Sequence, residues 1–157
     1  MLGKLNMPEI EQFLHHQIVG RIGCHDGDRT YLVPISYAYD GEYIYCHTCE
    51  GMKVNIMRKN PKVCFEVDHL QNMANWQSVI AWGTFEELKD PVERGKALVK
   101  LHDRILPMIA SETVRLSSDW PFPPDEMSKI VGVTFRIRLG EKTGRFEKTN
   151  AQDFYAS

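Results

Sequence analysis

Asp40-Gly41 separates two runs rich in β-branched and aromatic residues, one from Thr30 to Tyr39 and one from Tyr43 to Cys46. An Asp-Gly pair in that setting signals a two-residue hairpin, because such a turn needs positive φ angles that these residues tolerate. The two runs are therefore expected to be antiparallel neighbours. That expectation disfavours a parallel sheet, whose strands would need a long crossover between them.

The rest of the chain repeats the pattern. Strands are expected over residues 18–24, 31–39, 43–46, 63–67, 76–88 and 130–139, the first three forming an antiparallel meander. Pro34 lies inside its run, so that strand must have an edge or a bulge there. Gly83 and Gly132 mark further bulges. Residues 25–28 and 141–146 read as turns, and 69–75 and the Pro-rich 117–124 as loops. A helix over 8–16 is announced by Asn6 and Glu9, which can form a capping box, and by Pro8, which suits the first turn. A second covers 51–60 and ends at Asn60-Pro61. A third opens at Asp90-Pro91 and buries Ala97, Leu98, Leu101, Ile105 and Met108. Six hairpin-linked strands with two or three helices make a mainly β protein, α+β by helix count. They favour a closed or nearly closed antiparallel barrel.

The chain has 157 residues, the size of one domain, taken as 1–157. A net charge of −2 gives no broad attraction to nucleic acid or a membrane surface. No apolar run approaches the roughly 18 residues of a membrane span. The first residues turn charged too early for a secretory segment, so the cytoplasm is the expected compartment. In that compartment Cys24, Cys46, Cys49 and Cys64 read as reduced thiols. Cys46-x-x-Cys49, with His47 or His69 nearby, has no second ligand pair, so no metal is expected.

The residues suited to chemistry gather around the second helix. Lys53 sits where that helix begins, and free N–H groups at a helix start attract anions. Thr48, in the turn before it, offers a hydroxyl to the same anion. The alternative is a solvated basic face, since Lys59 and Lys62 lie close by. Trp76, Gln77 and Ser78 suit an aromatic heterocycle with a polar edge, or simply a core strand. Ser36 and Tyr37 follow Pro34, where a disrupted strand leaves backbone groups for a ligand. His47 is the candidate catalytic residue, either facing a ligand or satisfied within the barrel. His15 and His16 read as solvated, and His102 has nothing catalytic beside it.

Three segments together resemble the FMN-binding split barrel, and within it the pyridoxamine 5'-phosphate oxidase-like proteins of the NimA, nitroimidazole-reductase branch. They are Val33 to Gly41, Ile44 to Lys53 followed by Asn60-Pro61, and Ser78 to Glu86. The resemblance spans residues 8–146. It implies a six-stranded antiparallel split β-barrel with Greek-key character. It also implies a homodimer with FMN at the subunit interface. Lys53 would then hold the FMN phosphate with help from Thr48. Val33, Pro34, Ile35 and Ser36 would lie along the flavin, His47 near its reactive region, and Trp76, Gln77 and Ser78 would reach it from the second subunit. Met52 would also line the cofactor site, but it stands where this branch often has histidine, which puts one polar phosphate contact in doubt. The tail GRFEKTNAQDFYAS lacks the Arg- and Trp-rich segment of true pyridoxamine-phosphate oxidases, so vitamin B6 oxidation is not carried over.

The function implied is an FMN-dependent oxidoreductase. It would pass electrons from NADH or NADPH to a small acceptor, a nitroaromatic among the candidates. The alternatives are a flavin carrier or sensor without turnover, or a split barrel holding haem or a deazaflavin. Haem would need His47 or His69 as axial ligand.

Overall fold

A computed structural model describes residues 1–105 and 130–149. The expected burial of Met108 and the loop 117–124 lie outside the described residues. In chain order the elements are β1 (Leu2–Lys4), α1 (Met7–His16), β2 (Val19–Asp26), β3 (Arg29–Ser36), β4 (Ala38–Tyr39) and β5 (Tyr43–Thr48). There follow α2 (Met52–Lys59), β6 (Lys62–Asn72), β7 (Asn75–Glu87), α3 (Pro91–Ile105) and β8 (Val133–Glu147). The strands form one antiparallel sheet in the order β3-β2-β6-β7-β8-β5-β4, with β1 also pairing β8. β8 is its spine. Its first half pairs with β5, its last residues pair with β1, and β7 runs along both halves. The strand path ends at β3 on one side and β4 on the other, so the barrel is split rather than closed.

The sequence expectation of six strands becomes eight for two reasons. Leu2–Lys4 forms a short strand against Arg145–Glu147, a pairing across the whole chain that no local pattern announces. The run 31–39 breaks at Tyr37, so the expected meander is not formed. β3 pairs with β2 at one end of the sheet, and β4 pairs with β5 at the other. Tyr37 makes the switch. Its N–H donates to Ile18 O at 2.9 Å, and its hydroxyl donates to Leu14 O at 2.6 Å.

The expected loop at 69–75 is mostly strand, because β6 and β7 continue pairing to Asn72↔Asn75. The expected turn at 141–146 belongs to β8. Pro34 does lie on an edge strand, and the ladder shifts register beside Gly83. Gly132 precedes β8 rather than bulging within it, at φ 113°. The hairpin forms with Gly41 at φ 100°, and Asp40 N–H donates to Tyr43 O. The Asp40 carboxylate accepts from the N–H groups of Glu42 and Tyr43.

The helices start where their caps dictate. Asn6 accepts from Glu9 N–H at 2.9 Å, and Glu9 accepts from Asn6 N–H at 2.7 Å. Asp90 accepts from Glu93 N–H at the start of α3. The last carbonyls of α1, which have no partner inside the helix, receive Tyr37 at Leu14 and Arg104 at His15 and His16. The barrel interior is filled by Ile22, Ile44, Cys46, Phe65, Val79 and Phe135, with α1 contributing Ile10, Phe13 and Leu14. α2 adds Val54, Ile56 and Met57 to the same core. On the other side of β5, α3 packs Ala97, Leu101 and Ile105 against Ala38 and Tyr45. No helix of the described residues is long and apolar enough to cross a membrane.

Candidate functional site

α2 begins at Gly51, which carries no side-chain cap, and its first turn holds no acidic residue. Its leading N–H groups are therefore open to an anion supplied from outside. Lys53 stands in that first turn and is half-buried. Its charge acts on two thiols, Cys24 of β2 and Cys46 of β5, where it opposes the upward push that burial gives both.

The other basic residues of α2 are committed elsewhere. Arg58 is clamped between Glu50 and Glu87, and Lys59 pairs with Asp26 at 3.3 Å. Lys53 has no ion-pair partner among the described residues. Thr48 ends β5 just before the helix, and its hydroxyl has no hydrogen-bond partner among the described residues either. Lys53 and Thr48 are thus brought to the same helix start.

His47 alternates with Cys46, which is fully buried in the barrel, so its ring lies on the opposite face of β5. Nε2 lies 3.1 Å from Val131 O and must donate to it. Nδ1 lies 3.0 Å from Thr134 Oγ1 and accepts the hydroxyl proton. Burial, reinforced by the Arg94 charge, holds the imidazole below its ordinary pKa despite the Val131 carbonyl. The neutral ring fits that pattern. Arg94 donates to Ile130 O at 2.6 Å, so β5 and α3 together hold the segment entering β8.

Val33, Pro34, Ile35 and Ser36 lie on β3, which pairs only with β2 among the described strands. Ile35 points into the core and Pro34 outward. Trp76, Gln77 and Ser78 open β7 and pair with Leu70, His69 and Asp68. That is about 20 Å from the α2 end of β6, at roughly 3.3 Å per residue. Trp76 donates its indole N–H to Glu147, and Ser78 donates to Glu66, while Gln77 is exposed.

Met52 also lies at the helix start, but it faces a groove of about 990 Å³ between the β2–β3 turn and α2. Arg29 lines that groove, its Nη1 3.8 Å from Met52 Sδ. Sequence reasoning passed over Arg29, because it opens β3 just after a polar turn, distant in sequence from the helix it faces. Cys46 and Cys49 diverge, one in the core and one exposed. Among the described residues no cluster of His, Cys, Asp and Glu is placed to hold a metal ion.

The profile of the family described as pyridoxamine 5'-phosphate oxidase matches residues 6–146. An uncharacterized protein of Rhizobium meliloti (strain 1021) is 28% identical over 134 residues, covering 81% of this chain and 83% of that protein. Among solved structures, a FAD-binding protein from Mesorhizobium loti is 27% identical with a TM-score of 0.74, covering 94% of this chain and 99% of the other. A Bacteroides thetaiotaomicron protein named for 5-nitroimidazole antibiotic resistance has a TM-score of 0.68 at 16% identity, over 93% and 87% of the two chains. At that identity the likeness concerns the fold alone.

Proposed function

The chain belongs to the pyridoxamine 5'-phosphate oxidase family, and from that premise we propose that it is a flavin-dependent oxidoreductase. It takes electrons from NADH or NADPH and passes them to a small acceptor, nitroaromatics among the candidates. The observation that carries this reading is Lys53, a lysine without an ion-pair partner among the described residues, at an uncapped helix start. Its ammonium group would donate to the flavin phosphate, and the Thr48 hydroxyl would donate beside it. The backbone of Val33 to Ser36, on the edge strand β3, would line the ring system. When bound, the flavin supplies the hydride-accepting chemistry.

The reading includes a cytoplasmic homodimer. In this reading Trp76, Gln77 and Ser78, about 20 Å along β6 from its α2 end, serve the Lys53 site of the other chain. A second copy would bring them to it. The outer face of the sheet supports such a contact. Leu32, Cys64 and Trp82 follow one another across the β3-β2-β6-β7 ladder, with Gly23 between the first two. Leu32 and Trp82 are 64% and 43% exposed, an apolar surface in search of a cover.

Sequence reasoning names FMN as the cofactor. A second reading, FAD, is favoured by the 27%-identical Mesorhizobium relative, a FAD-binding protein. Both flavins share the phosphate that Lys53 would hold. The experiment for turnover is anaerobic mixing of flavin-loaded protein with NADH or NADPH. Bleaching of the flavin absorbance is expected. A flavin that stays oxidised with both donors would replace the reductase by a carrier or sensor.

A further inference from the structure

Resting on the flavin reading above and carrying it further, we propose that the groove between the β2–β3 turn and α2 seats the adenylate half of FAD, with Arg29 on the second phosphate. The groove measures about 990 Å³, at the upper end of the range of about 300–1,000 Å³ usual for small-molecule sites. FMN held at Lys53 would leave it unused.

Position is the first argument. Gly51 and Met52 line the groove, and Lys53 is the next residue in the chain. The open N–H groups at the start of α2 border the groove through these two residues, so a phosphate held there would direct whatever is esterified to it into the groove. The groove then follows one face of α2, past Asn55 and Lys59.

Chemistry is the second. Arg21, Arg58 and Arg136 are all paired with carboxylates. Arg29 has no ion-pair partner among the described residues, and its one polar contact is the weak one to Met52 Sδ. An uncommitted guanidinium at a groove wall is the preferred donor to a phosphate, which it can hold by two parallel bonds. Asp26 is taken up by Lys59, which leaves the Asp28 carboxylate as acceptor for ribose hydroxyls. Met52 and Ile56 give an apolar surface, and a polarizable thioether suits the face or edge of a purine. The lining thus offers a cation, a carboxylate and an apolar contact, one for each part of an adenylate.

The test is equilibrium titration of flavin-free protein with FMN, FAD and ADP, followed by flavin fluorescence and, for ADP, by calorimetry. FAD is expected to bind about tenfold tighter than FMN or better, the gain of one charge-assisted contact. ADP should compete with FAD. Arg29→Ala should bring FAD down to the affinity of FMN and leave FMN within about twofold, so that FMN binding itself certifies the folded protein. Arg29→Lys should restore part of the difference, and Asp28→Asn should weaken FAD alone. Equal affinity of the wild-type protein for FMN and FAD, or equal weakening of both by Arg29→Ala, would overturn the groove assignment and leave the flavin reading standing. If the wild-type protein binds neither flavin, both readings fall together.

Discussion

Gly132 packs against the imidazole of His47. A Cβ built on Gly132 would stand 3.1 Å from both Cε1 and Nε2 of the ring and 2.7 Å from the Thr48 carbonyl oxygen. The glycine is also at φ 113°, a conformation that L side chains rarely adopt. Gly132→Ala should therefore destabilise the protein by about 1–3 kcal/mol from backbone strain alone. Displacement of the β5 carbonyl adds to this. The check is the urea midpoint at unchanged slope, and a midpoint equal to wild type would contradict the argument.

Tyr37 holds the crossover between the two ends of the sheet. Its buried hydroxyl serves the otherwise unpartnered carbonyl of Leu14 at 2.6 Å. Tyr37→Phe keeps the ring, which packs edge-on against Phe65 at 5.0 Å, and removes only the hydrogen bond. A loss of about 1–3 kcal/mol is expected, the cost of stranding a buried acceptor. Thermal and urea unfolding should agree on it.

Asp40 ties the β4–β5 hairpin to α3. Burial pushes its carboxyl up. The N–H groups of Tyr43 and Glu42, the Tyr45 hydroxyl and Lys100 outweigh that and hold the pKa at about 2. The native value is below the unfolded one, so the stabilisation is complete above the ordinary aspartate value. It is lost as pH falls toward 2. Wild-type stability should decline between about pH 4 and pH 2, and Asp40→Asn should flatten part of that decline. An Asp40→Asn profile parallel to wild type through this window would refute the assignment.

These residues also mark what was legible in the sequence. The capping box of Asn6 and Glu9, the Asp90-Pro91 helix start, the Gly83 irregularity and the antiparallel barrel are local or periodic signals, and each is present in the fold. Lys53 at a helix start was legible for the same reason. The break at Tyr37 was not, because the alternation of 31–39 continues through it, and only contacts with Leu14 and Ile18 reveal the switch. The continuation of β6 through Asp68 and His69, and of β8 through Lys142, was hidden because polar residues there break the apolar alternation, Asp68 and His69 at the surface and Lys142 partly buried in an ion pair with Glu11. Arg29 was missed because its neighbour Met52 is distant in sequence. The orientation of His47 depends on Val131 and Thr134, far along the chain.

The apolar row on the outer sheet face leads to a prediction about assembly. Trp82 lies beside Cys64 in the ladder and lines a second groove, of about 690 Å³. Trp82→Arg should move the protein toward monomer in sedimentation velocity at micromolar concentration, because a desolvated charge at an interface is costly. Its thermal unfolding as a monomer should stay cooperative. A wild-type protein that sediments as a monomer would remove the dimer from the account.

The central claim is that Lys53 holds the phosphate of a bound flavin. The most direct measurement is a titration of flavin-free protein with FMN, read by fluorescence quenching, for wild type and for Lys53→Gln. The wild-type protein should bind one flavin per chain. Lys53→Gln should weaken it about 10- to 100-fold, the loss of a charge-assisted contact worth about 1.5–3 kcal/mol. A wild-type protein that takes up no flavin, or a Lys53→Gln variant that binds it as tightly as wild type, would contradict the account.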